Sequence, residues 1–295
     1  PEHLNLDAAL HINYANEIAH IQMHRLNVET QRPGIIIKDL TFNTSISDTL
    51  INWRNFNLQL TNSTVLSEGR IPLNKFYTSE ISLNAAPFDF ADVSEFFPFL
   101  HGNPDINLEV KNEGINNMMH FSLKKDQQRM DITGDIITSN HVPSYNFVLE
   151  TDSINGEYWT ENPDFKSNIK GKFTIQGEGF DFSKNHMTAS AEFADLKYKG
   201  YKIIDLLFSL EKNEEVLETN IHASTIFGKL DSDFKIEKLT AIPAYSGTLN
   251  LKQFNLAKLT ANKKFESSLN FEFQANGKGY KPGKMESNVK INSKK

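Results

Sequence analysis

Histidine is the first residue type in this chain that could do chemistry, because its ring nitrogens bind metal ions and exchange protons near neutral pH. His20 and His24 stand four residues apart, which puts both on one face of a helix or a strand, and His3 and His11 lie nearby. A zinc site needs three or four ligands at matching spacing. No third ligand follows that spacing, so we predict solvated surface histidines and no metal site.

Carboxylates are the second candidate group. Glu211, Glu214 and Glu215 lie in one charged stretch, and Asp231 and Asp233 stand two residues apart. A glycosidase needs two carboxyl groups held roughly 5 to 10 Å apart in space, and a linear sequence does not give that separation. Charged strand ends and hairpin loops account for all five residues, so we predict no catalytic pair.

Two Gly-x-Gly pairs resemble fragments of a phosphate-binding loop: Gly177-Glu178-Gly179 and Gly277-Lys278-Gly279. A phosphate loop also requires a Gly-Lys-Ser/Thr ending and a helix after it, and neither pair has them. We therefore expect these glycines in turns or bulges with positive φ. The chain also has no G-x-S-x-G nucleophile elbow, so the sequence predicts no enzyme, no catalytic residue and no cofactor.

Three aromatic residues, Trp53, Tyr158 and Trp159, have side chains that could stack on a sugar ring. Isolated aromatic residues more often pack in a core or along a sheet edge. One function left open by these residues is therefore a surface adhesin or glycan-binding β-protein, with a closed core and an exposed aromatic patch at its loops.

Composition limits the remaining functions. The 295 residues include no cysteine, which removes disulfides, thiolate nucleophiles and cysteine-ligated metal centres. The net charge is -6 and the basic residues are dispersed, so the footprint of a nucleic-acid-binding protein is missing. The chain contains 22 Phe although its mean hydropathy is -0.45. The Phe side chains must therefore lie on surfaces separate from those of the polar residues.

Alternation with a period of two dominates the chain, as in Phe56-Asn57-Leu58-Gln59-Leu60 and Leu269-Asn270-Phe271-Glu272-Phe273. Turn signals separate such runs at short intervals, including Ser67-Glu68-Gly69 and Asn112-Glu113-Gly114. Strands of this kind form antiparallel meanders in which one face packs and the other is wetted.

Helix is scarce in the sequence. The best candidate runs from Asp92 to Leu100, with Asp92 or Ser94 as the N-cap. The segment from His11 to Leu26 fits either a helix or a strand. We therefore predict an all-β fold with at most one or two short helices.

Internal repetition carries the most information about the fold. The run from Gly34 to Phe42 recurs from Gly200 to Phe208, and Phe88-Asp89-Phe90-Ala91 recurs as Phe254-Asn255-Leu256-Ala257, both at an offset of 166 residues. Since two separate pieces share one offset and occur in the same order, chance alternation is a poor explanation.

A third pair is Ile106–Gly114 against Leu269–Gly277, at an offset of 163 residues, and Phe173–Phe180 resembles Phe273–Tyr280 at an offset of 100. The repeats divide the chain into a preceding partial repeat (1–30), a first β repeat block (31–166) and a second block (167–295). A repeat unit of this kind cannot bury its apolar face alone, so the units must pair edge to edge into one long sheet with a continuous apolar face.

These features together resemble the AsmA/TamB group of bacterial envelope proteins, in the form found in Bacteroidetes. The resemblance rests on the G-x-x-I-x-D-L-x-F runs at Gly34 and Gly200, the loop entries at Phe88 and Phe254, and the Gly-x-Gly-aromatic turn at Gly177. The corresponding turn at Gly277 belongs to the same set. Together they cover most of residues 30 to 291.

The resemblance implies an elongated, curved, taco-like antiparallel sheet with an apolar groove, in the periplasm or cell envelope of a Gram-negative bacterium. The groove would carry phospholipid between the inner and outer membranes, or the protein would support outer-membrane assembly together with β-barrel assembly proteins. The family also has an N-terminal membrane anchor and a C-terminal domain, which this chain does not show. The resemblance therefore assigns the chain to the repetitive middle of a longer protein.

A lipid groove would be lined by the alternating apolar residues. The predicted lining residues are Phe56, Leu58, Leu60, Leu108, Val110, Phe121, Phe147, Leu149, Phe173, Ile175, Phe193, Leu206, Phe208, Leu210, Leu269, Phe271 and Phe273. Alternation alone favours an ordinary closed core over an open groove, and the resemblance brings the two interpretations nearer to even. A carbohydrate-active β-enzyme has the least support. It needs two carboxylates that converge in a cleft, and neither the repeat spacing nor the composition supports such a pair.

Overall fold

The protein is built almost entirely from antiparallel β-strands, as the sequence predicts. The computed structural model describes residues 4–30, 34–138, 142–198, 201–260, 262–279 and 285–293. Within them lie nineteen strands and two short α-helices, and the ladders described below are all antiparallel. The helices of this described part are too short to cross a membrane. The chain divides into two compact units, residues 1–139 with 152–166 and residues 140–151 with 167–295.

Unit 1 contains the first ten strands. They are β1 (Leu4–Ala15), β2 (Ile18–Thr30), β3 (Ile36–Ile37), β4 (Asp39–Ile46), β5 (Leu50–Gln59), β6 (Thr64–Pro72), β7 (Glu80–Ala85), β8 (Asp105–Glu113), β9 (Asn116–Lys125) and β10 (Gln128–Ile137). From β4 onward each strand pairs with the next in the chain, while β2 pairs with β1, β3 and β4. The result is the predicted meander.

Strand β11 (Ser144–Ile154) lies across the division between the units. The strands of unit 2 after it are β12 (Ser167–Glu178), β13 (His186–Tyr198), β14 (Tyr201–Asn213), β15 (Val216–Thr225), β16 (Gly228–Glu237), β17 (Ala244–Phe254), β18 (Leu269–Lys278) and β19 (Glu286–Ser293). From β12 to β19 each strand again pairs with the next in the chain.

The two α-helices are single turns, α1 (Gly156–Thr160) and α2 (Leu256–Thr260). The helix predicted from Asp92 to Leu100 is wrong in its start and its type. A 3₁₀ helix runs over Phe90–Val93 instead, because the Asp89 carboxylate accepts a hydrogen bond from the Ala91 N–H and caps it earlier.

The ambiguous segment from His11 to Leu26 is strand. It forms parts of β1 and β2, and the turn between them uses Asn16 and Glu17, with φ of 54° and 63°. The strand pattern of Ala19, Ile21 and Met23 therefore prevails over the helical pattern of the same segment. Each of these residues lies opposite a largely apolar residue of β1.

The 166-residue repeat is a repeat of strands. Both bounds of β15 lie 166 residues after those of β5, and β4, β6, β7 and β8 correspond in the same order to β14, β16, β17 and β18. The 3₁₀ helix at Phe90–Val93 corresponds in the same way to α2. The repeated unit is thus a four-strand meander, a short helical insert and a returning strand.

The 100-residue repeat extends further than the sequence indicates. It relates β11, α1 and β12 to β17, α2 and β18, and it preserves backbone irregularities. Ser153 and Gln253 both have positive φ, at 57° and 52°, and Gly179 and Gly279 both have φ of 77°. The positive φ predicted for the Gly-x-Gly turns is confirmed at the second glycine of each pair. The division into repeat blocks at residues 30 and 166 stays a prediction, since the compact units are defined by contacts and not by repetition.

Aromatic rings lie on glycines at four cross-strand pairs: Trp53 with Gly69, Phe193 with Gly171, Phe234 with Gly247 and Tyr245 with Gly277. A Cβ atom on each of these glycines would come within 2.3 to 2.7 Å of its paired ring. Only glycine leaves room for a ring to lie flat on the neighbouring strand. The turn predicted at Ser67-Glu68-Gly69 is therefore wrong: these residues lie inside β6, and Gly69 receives the indole of Trp53.

Replacing Gly69 with alanine should destabilise unit 1. The new Cβ would lie 2.6 Å from both the Trp53 ring and the Glu80 carbonyl oxygen, so ring and backbone would have to shift. We expect Gly69→Ala to lower the free energy of unfolding by about 1 to 3 kcal/mol, measured by urea denaturation. Ser82→Ala, an exposed change on the adjacent β7, should stay within about 0.5 kcal/mol. If Gly69→Ala were as stable as the wild type, the close packing of the Trp53 ring on Gly69 would be ruled out.

Candidate functional site: the apolar sheet faces

Cross-strand register joins the alternating apolar residues of unit 1 into rows. Residues directly opposite each other in an antiparallel pair point to the same face of the sheet. One row runs across β5 to β10 through Leu58, Val65, Ala85, Ile106, Leu123 and Met130. The next runs through Phe56, Ser67, Leu83, Leu108, Phe121 and Ile132. We call the side that carries these rows the apolar face of unit 1.

Unit 2 has an apolar face built in the same way. One row crosses β13 to β18 through Phe193, Leu206, Ala223, Leu230, Leu251 and Phe271. A second crosses β12 to β19 through Phe173, Ala191, Phe208, Ile221, Ser232, Leu249, Phe273 and Ile291. Ser232 is the only polar member of these two rows, so each row is a nearly unbroken band of hydrocarbon.

The predicted lining residues fall on these faces. The rows contain Phe56, Leu58, Leu108, Phe121, Phe173, Phe193, Leu206, Phe208, Phe271 and Phe273. Val110 pairs with Ile81 and Met119, Leu210 with Ala189 and Thr219, Ile175 with Ala189, and Leu269 with Phe254. These pairs extend the apolar faces beyond the two rows of each unit.

The three remaining residues lie at the margins. Leu60 follows β5 and is buried, with 7% of its surface exposed. Phe147 and Leu149 alternate along β11 with Tyr145, whose ring lies 6.5 Å from that of Phe147. The hydroxyl of Tyr145 would lie 2.6 Å from a Cβ at Gly177, so this ring is seated on β12.

Both faces are only partly covered. Every predicted lining residue except Leu60 keeps part of its side chain exposed. Within each unit, the strands in regular backbone contact are ladder neighbours. Ordinary sandwich cores bury such residues between two sheets about 10 Å apart. The predicted lining residues are instead mostly intermediate in exposure.

Sequence reasoning missed several members of the rows. Ile81, Leu83, Ile132, Ile221 and Leu249 all lie on the apolar faces. Some stand in runs that do alternate, such as Ile81-Ser82-Leu83. The sequence does not give the cross-strand register. Only the register shows that these residues lie opposite the predicted lining residues, because the partners come from different strands.

Lys212 is an exception on the apolar face of unit 2. It lies between Met187 and Leu217 in the ladders and is 1% exposed. Its ammonium group donates hydrogen bonds to the carbonyl oxygens of Asn185 (3.2 Å) and Glu214 (2.8 Å) and stands 4.7 Å from the centre of the Phe182 ring. A buried ammonium needs such partners, and this one ties together the loops at one end of β12 to β15.

The opposite face of unit 1 is polar. Its central row consists of Asn57, Leu66, Asn84, Asn107, Ser122 and Asp131. Asp131 accepts hydrogen bonds from the Arg129 guanidinium, at 3.0 Å from Nη2, and lies 3.4 Å from His120 Nε2. The Arg129 hydrogen bonds, with help from His120, lower the pKa of the Asp131 carboxyl below its ordinary value.

The polar face of unit 2 has a comparable chain of charges. Asp231 accepts a hydrogen bond from Lys252 Nζ at 2.9 Å and lies 2.5 Å from His222 Nδ1, while His222 Nε2 is 3.6 Å from Asp205. The Lys252 and His222 contacts lower the pKa of Asp231. These contacts link side chains of four neighbouring strands, so Asp231 has structural partners and is not thereby assigned a reaction.

The other carboxylates considered in the sequence lie on the polar face of unit 2 or in its hairpins. Glu211 faces Glu218 and Thr188 on the polar face, and Glu214 forms the turn after β14. Glu215 accepts a hydrogen bond from the Thr240 hydroxyl, and Asp233 accepts one from Thr248 at 3.4 Å. Glu214 and Glu215 lie in the β14–β15 hairpin, as the sequence predicts, whereas Asp231 and Asp233 lie inside β16, where the prediction of a strand end or loop is wrong.

The histidine cluster does not assemble a metal site among the residues the structure describes. His11 pairs with Gln22 and His20 with Asn13 on β1 and β2, while His24 lies at a bulge. His3 lies outside the described residues. Nowhere in the described ranges do three His, Asp or Glu side chains come together in a group that could hold a metal ion.

The aromatic residues considered for sugar stacking have packing roles. Trp159 is 8% exposed, and its indole N–H donates to Gln128 Oε1 at 2.9 Å. Tyr158 packs edge-on against it with ring centres 5.2 Å apart. Trp53 is half-buried on Gly69 and donates to the Ser67 hydroxyl at 3.1 Å. These three rings do not form one exposed platform.

Fold and faces together define a class: antiparallel β-repeat proteins with one apolar and one polar side. No family model, curated protein or solved structure matches this chain. The resemblance to AsmA/TamB proteins therefore stays a hypothesis, and the geometry of the faces carries the functional argument.

Removing the Arg129 charge should raise the pKa of Asp131 towards the ordinary value of about 3.9. Because that pKa is lowered in the fold, the stability it contributes is present above the unfolded value and is lost as pH falls through the folded value. Arg129→Gln should therefore reduce the loss of stability below about pH 4. Carbon-detected NMR titration of Asp131, with urea unfolding at each pH, measures both effects. Arg70→Gln, which removes a separate ion pair to Glu80, should leave Asp131 unchanged; an equal shift in both variants would contradict the assignment.

Replacing Lys212 with methionine should destabilise unit 2 although the new side chain is apolar. Two carbonyl groups would lose their donor, which costs about 1 to 3 kcal/mol. Lys235→Met removes an exposed lysine that bridges Glu218 and Glu237, and should cost about 1 kcal/mol or less. Urea denaturation compares the two variants, and a Lys212→Met protein as stable as Lys235→Met would show that the buried ammonium is dispensable.

Proposed function

We propose that the apolar faces bind phospholipid acyl chains, and that this chain is a non-catalytic segment of an envelope-spanning lipid conduit of the AsmA/TamB type. The observation that carries the proposal is the set of apolar rows that cross successive strands while remaining partly exposed. Such a surface needs hydrocarbon against it.

The dimensions of the rows suit an acyl chain. Neighbouring strands lie about 4.8 Å apart, so a row across six strands spans about 24 Å. One acyl chain fills about half of a hydrocarbon core that is roughly 30 Å thick. A single row is therefore long enough for one extended chain, and the parallel rows of each unit offer alternative tracks.

The energetics favour the same occupant. Each CH₂ group transferred from water to hydrocarbon is stabilised by about 0.8 kcal/mol. The rows of unit 2 provide phenyl and aliphatic side chains and few groups that could fix a ligand by hydrogen bonds. A surface of this kind favours acyl chains in general over one specific headgroup, and it lets them slide between equivalent positions.

The polar faces suit an aqueous compartment. Ion pairs such as Lys172–Glu150 and Lys235–Glu218 lie on exposed side chains, and the net charge of -6 favours solubility. The resemblance implies the periplasm of a Gram-negative bacterium, where phospholipid would be the cargo of such a segment and β-barrel assembly proteins its partners in outer-membrane assembly.

The experiment is native mass spectrometry with lipid extraction on the chain purified without detergent. Phe208→Asp puts a charge in the centre of the apolar face of unit 2. Leu207→Asp is its matched control: Leu207 is the adjacent residue, points to the polar face opposite Glu192 and His222, and is 46% exposed. Circular dichroism confirms that both variants fold.

We expect bound phospholipid in the wild type and in Leu207→Asp, and its loss in Phe208→Asp. Equal lipid in both folded variants would exclude the apolar face as the binding surface. A folded wild type that carries no lipid and takes up none from added phosphatidylethanolamine would reject the lipid function, and a glycan array would then test the adhesin alternative.

A further inference from the structure

The connection between β7 and β8, residues 86–104, forms a loop with an ordered base. The Phe88 N–H donates to the Pro104 carbonyl at 2.7 Å, and the Phe90 N–H donates to the Gly102 carbonyl at 3.0 Å. The Asp92 carboxylate accepts hydrogen bonds from the Asn62 N–H (2.9 Å) and the Ser63 hydroxyl (2.6 Å) in the β5–β6 connection. The base is therefore tied to the sheet of unit 1 on two sides.

Aromatic packing holds the same base. The Phe90 ring contacts those of Phe88 and Trp159 edge-on, with centres 5.5 Å and 6.3 Å apart. The His101 N–H donates to the Trp159 carbonyl at 2.8 Å. Since Trp159 is itself buried, these contacts fix the direction in which the loop leaves the sheet.

The tip of this loop carries phenylalanines that the base does not use. Phe96, Phe97 and Phe99 are 59%, 47% and 60% exposed, and we call them the phenylalanine tip. Their backbone is ordered, because the N–H groups of Phe96 and Phe97 donate to the Val93 carbonyl and that of Leu100 donates to Phe97. Three adjacent apolar rings are thus held out in water.

The fold does not require these rings. The corresponding connections in the other repeats, residues 155–166 and 255–268, form a similar short helical insert. Each of them has one phenylalanine, Phe165 or Phe265, and otherwise mostly polar residues. Because two repeats make the insert without a Phe-Phe-Pro-Phe run, the phenylalanine tip is an addition with its own role.

The charge of the loop limits which partners the phenylalanine tip could bind. Residues 86–104 contain no Lys or Arg, while Asp89, Asp92 and Glu95 precede the tip. Glu161, whose carboxylate lies 3.7 Å from His101, adds a negative charge beside the loop. An anionic surface would be repelled.

We propose that the phenylalanine tip inserts into the surface of a zwitterionic phospholipid membrane. Protein interfaces concentrate Tyr, Trp and Arg, which combine apolar area with hydrogen-bond donors. The tip has only Phe, Pro and Leu side chains, which have no polar group that could fix a partner's register. Such chemistry matches a fluid apolar medium, and the acidic residues behind it favour a neutral headgroup layer.

The inference uses residues outside both apolar faces, so it stands apart from the proposed lipid-carrying function. The test is flotation of the full chain with phosphatidylcholine vesicles. In the tip variant, Phe96, Phe97 and Phe99 are all changed to serine. In the control variant, three exposed apolar residues of other loops, Phe76, Ile115 and Ile242, are changed to serine; they are 68%, 56% and 71% exposed.

We expect the vesicle partition coefficient to fall about tenfold or more in the tip variant, and to stay at the wild-type value in the control variant. Adding phosphatidylglycerol should weaken binding of the wild type. Flotation that is equal in the tip and control variants would overturn the proposal, as would absence of wild-type flotation or binding that strengthens with anionic lipid. Association of two copies through the tip, without vesicle binding, would also overturn it. Loss of flotation in the tip variant, with its carried lipid unchanged by native mass spectrometry, keeps the two functions separate.

Discussion

The constraint on which the rest of the structure depends is the phase of the cross-strand register. A slip of one residue in any ladder would move that strand's apolar side chains to the polar face. Where the alternation along a strand breaks, a bulge restores the phase. Trp53 and Phe56 are three residues apart, yet both face the apolar side, because Arg54 and Asn55 together oppose Glu68. The same correction occurs near Gln253 in β17.

The two faces then acquire different chemistry from one backbone. On the apolar side, aromatic rings lie flat on glycines of the neighbouring strand, because a glycine has no side chain that would collide with the ring. On the polar side, carboxylates such as Asp131 and Asp231 are compensated by basic residues of neighbouring strands. Lys212 departs from this pattern, and it is buried with its ammonium group bonded to backbone carbonyls.

Much of the fold was predictable, and the misses have specific causes. Alternation identified strands such as β5, β8 and β18, and the repeats identified their order. The false turn at Ser67–Gly69 arose because a glycine that seats a ring and a glycine that turns the chain look alike in sequence. The helix near Asp92 was misplaced because Asp89, three residues earlier, is the residue that caps it.

By itself, the sequence determined the all-β class, the repeat order and the set of apolar residues, because alternation and turn chemistry are local properties of the chain. Tertiary structure decided which of those residues share a row, since ladder partners such as Leu249 and Phe273 lie in separate strands and bulges shift their phase. It also decided that the rows stay partly exposed and that the rings of the phenylalanine tip are exposed. Exposure depends on what packs against a surface, and no local pattern encodes that.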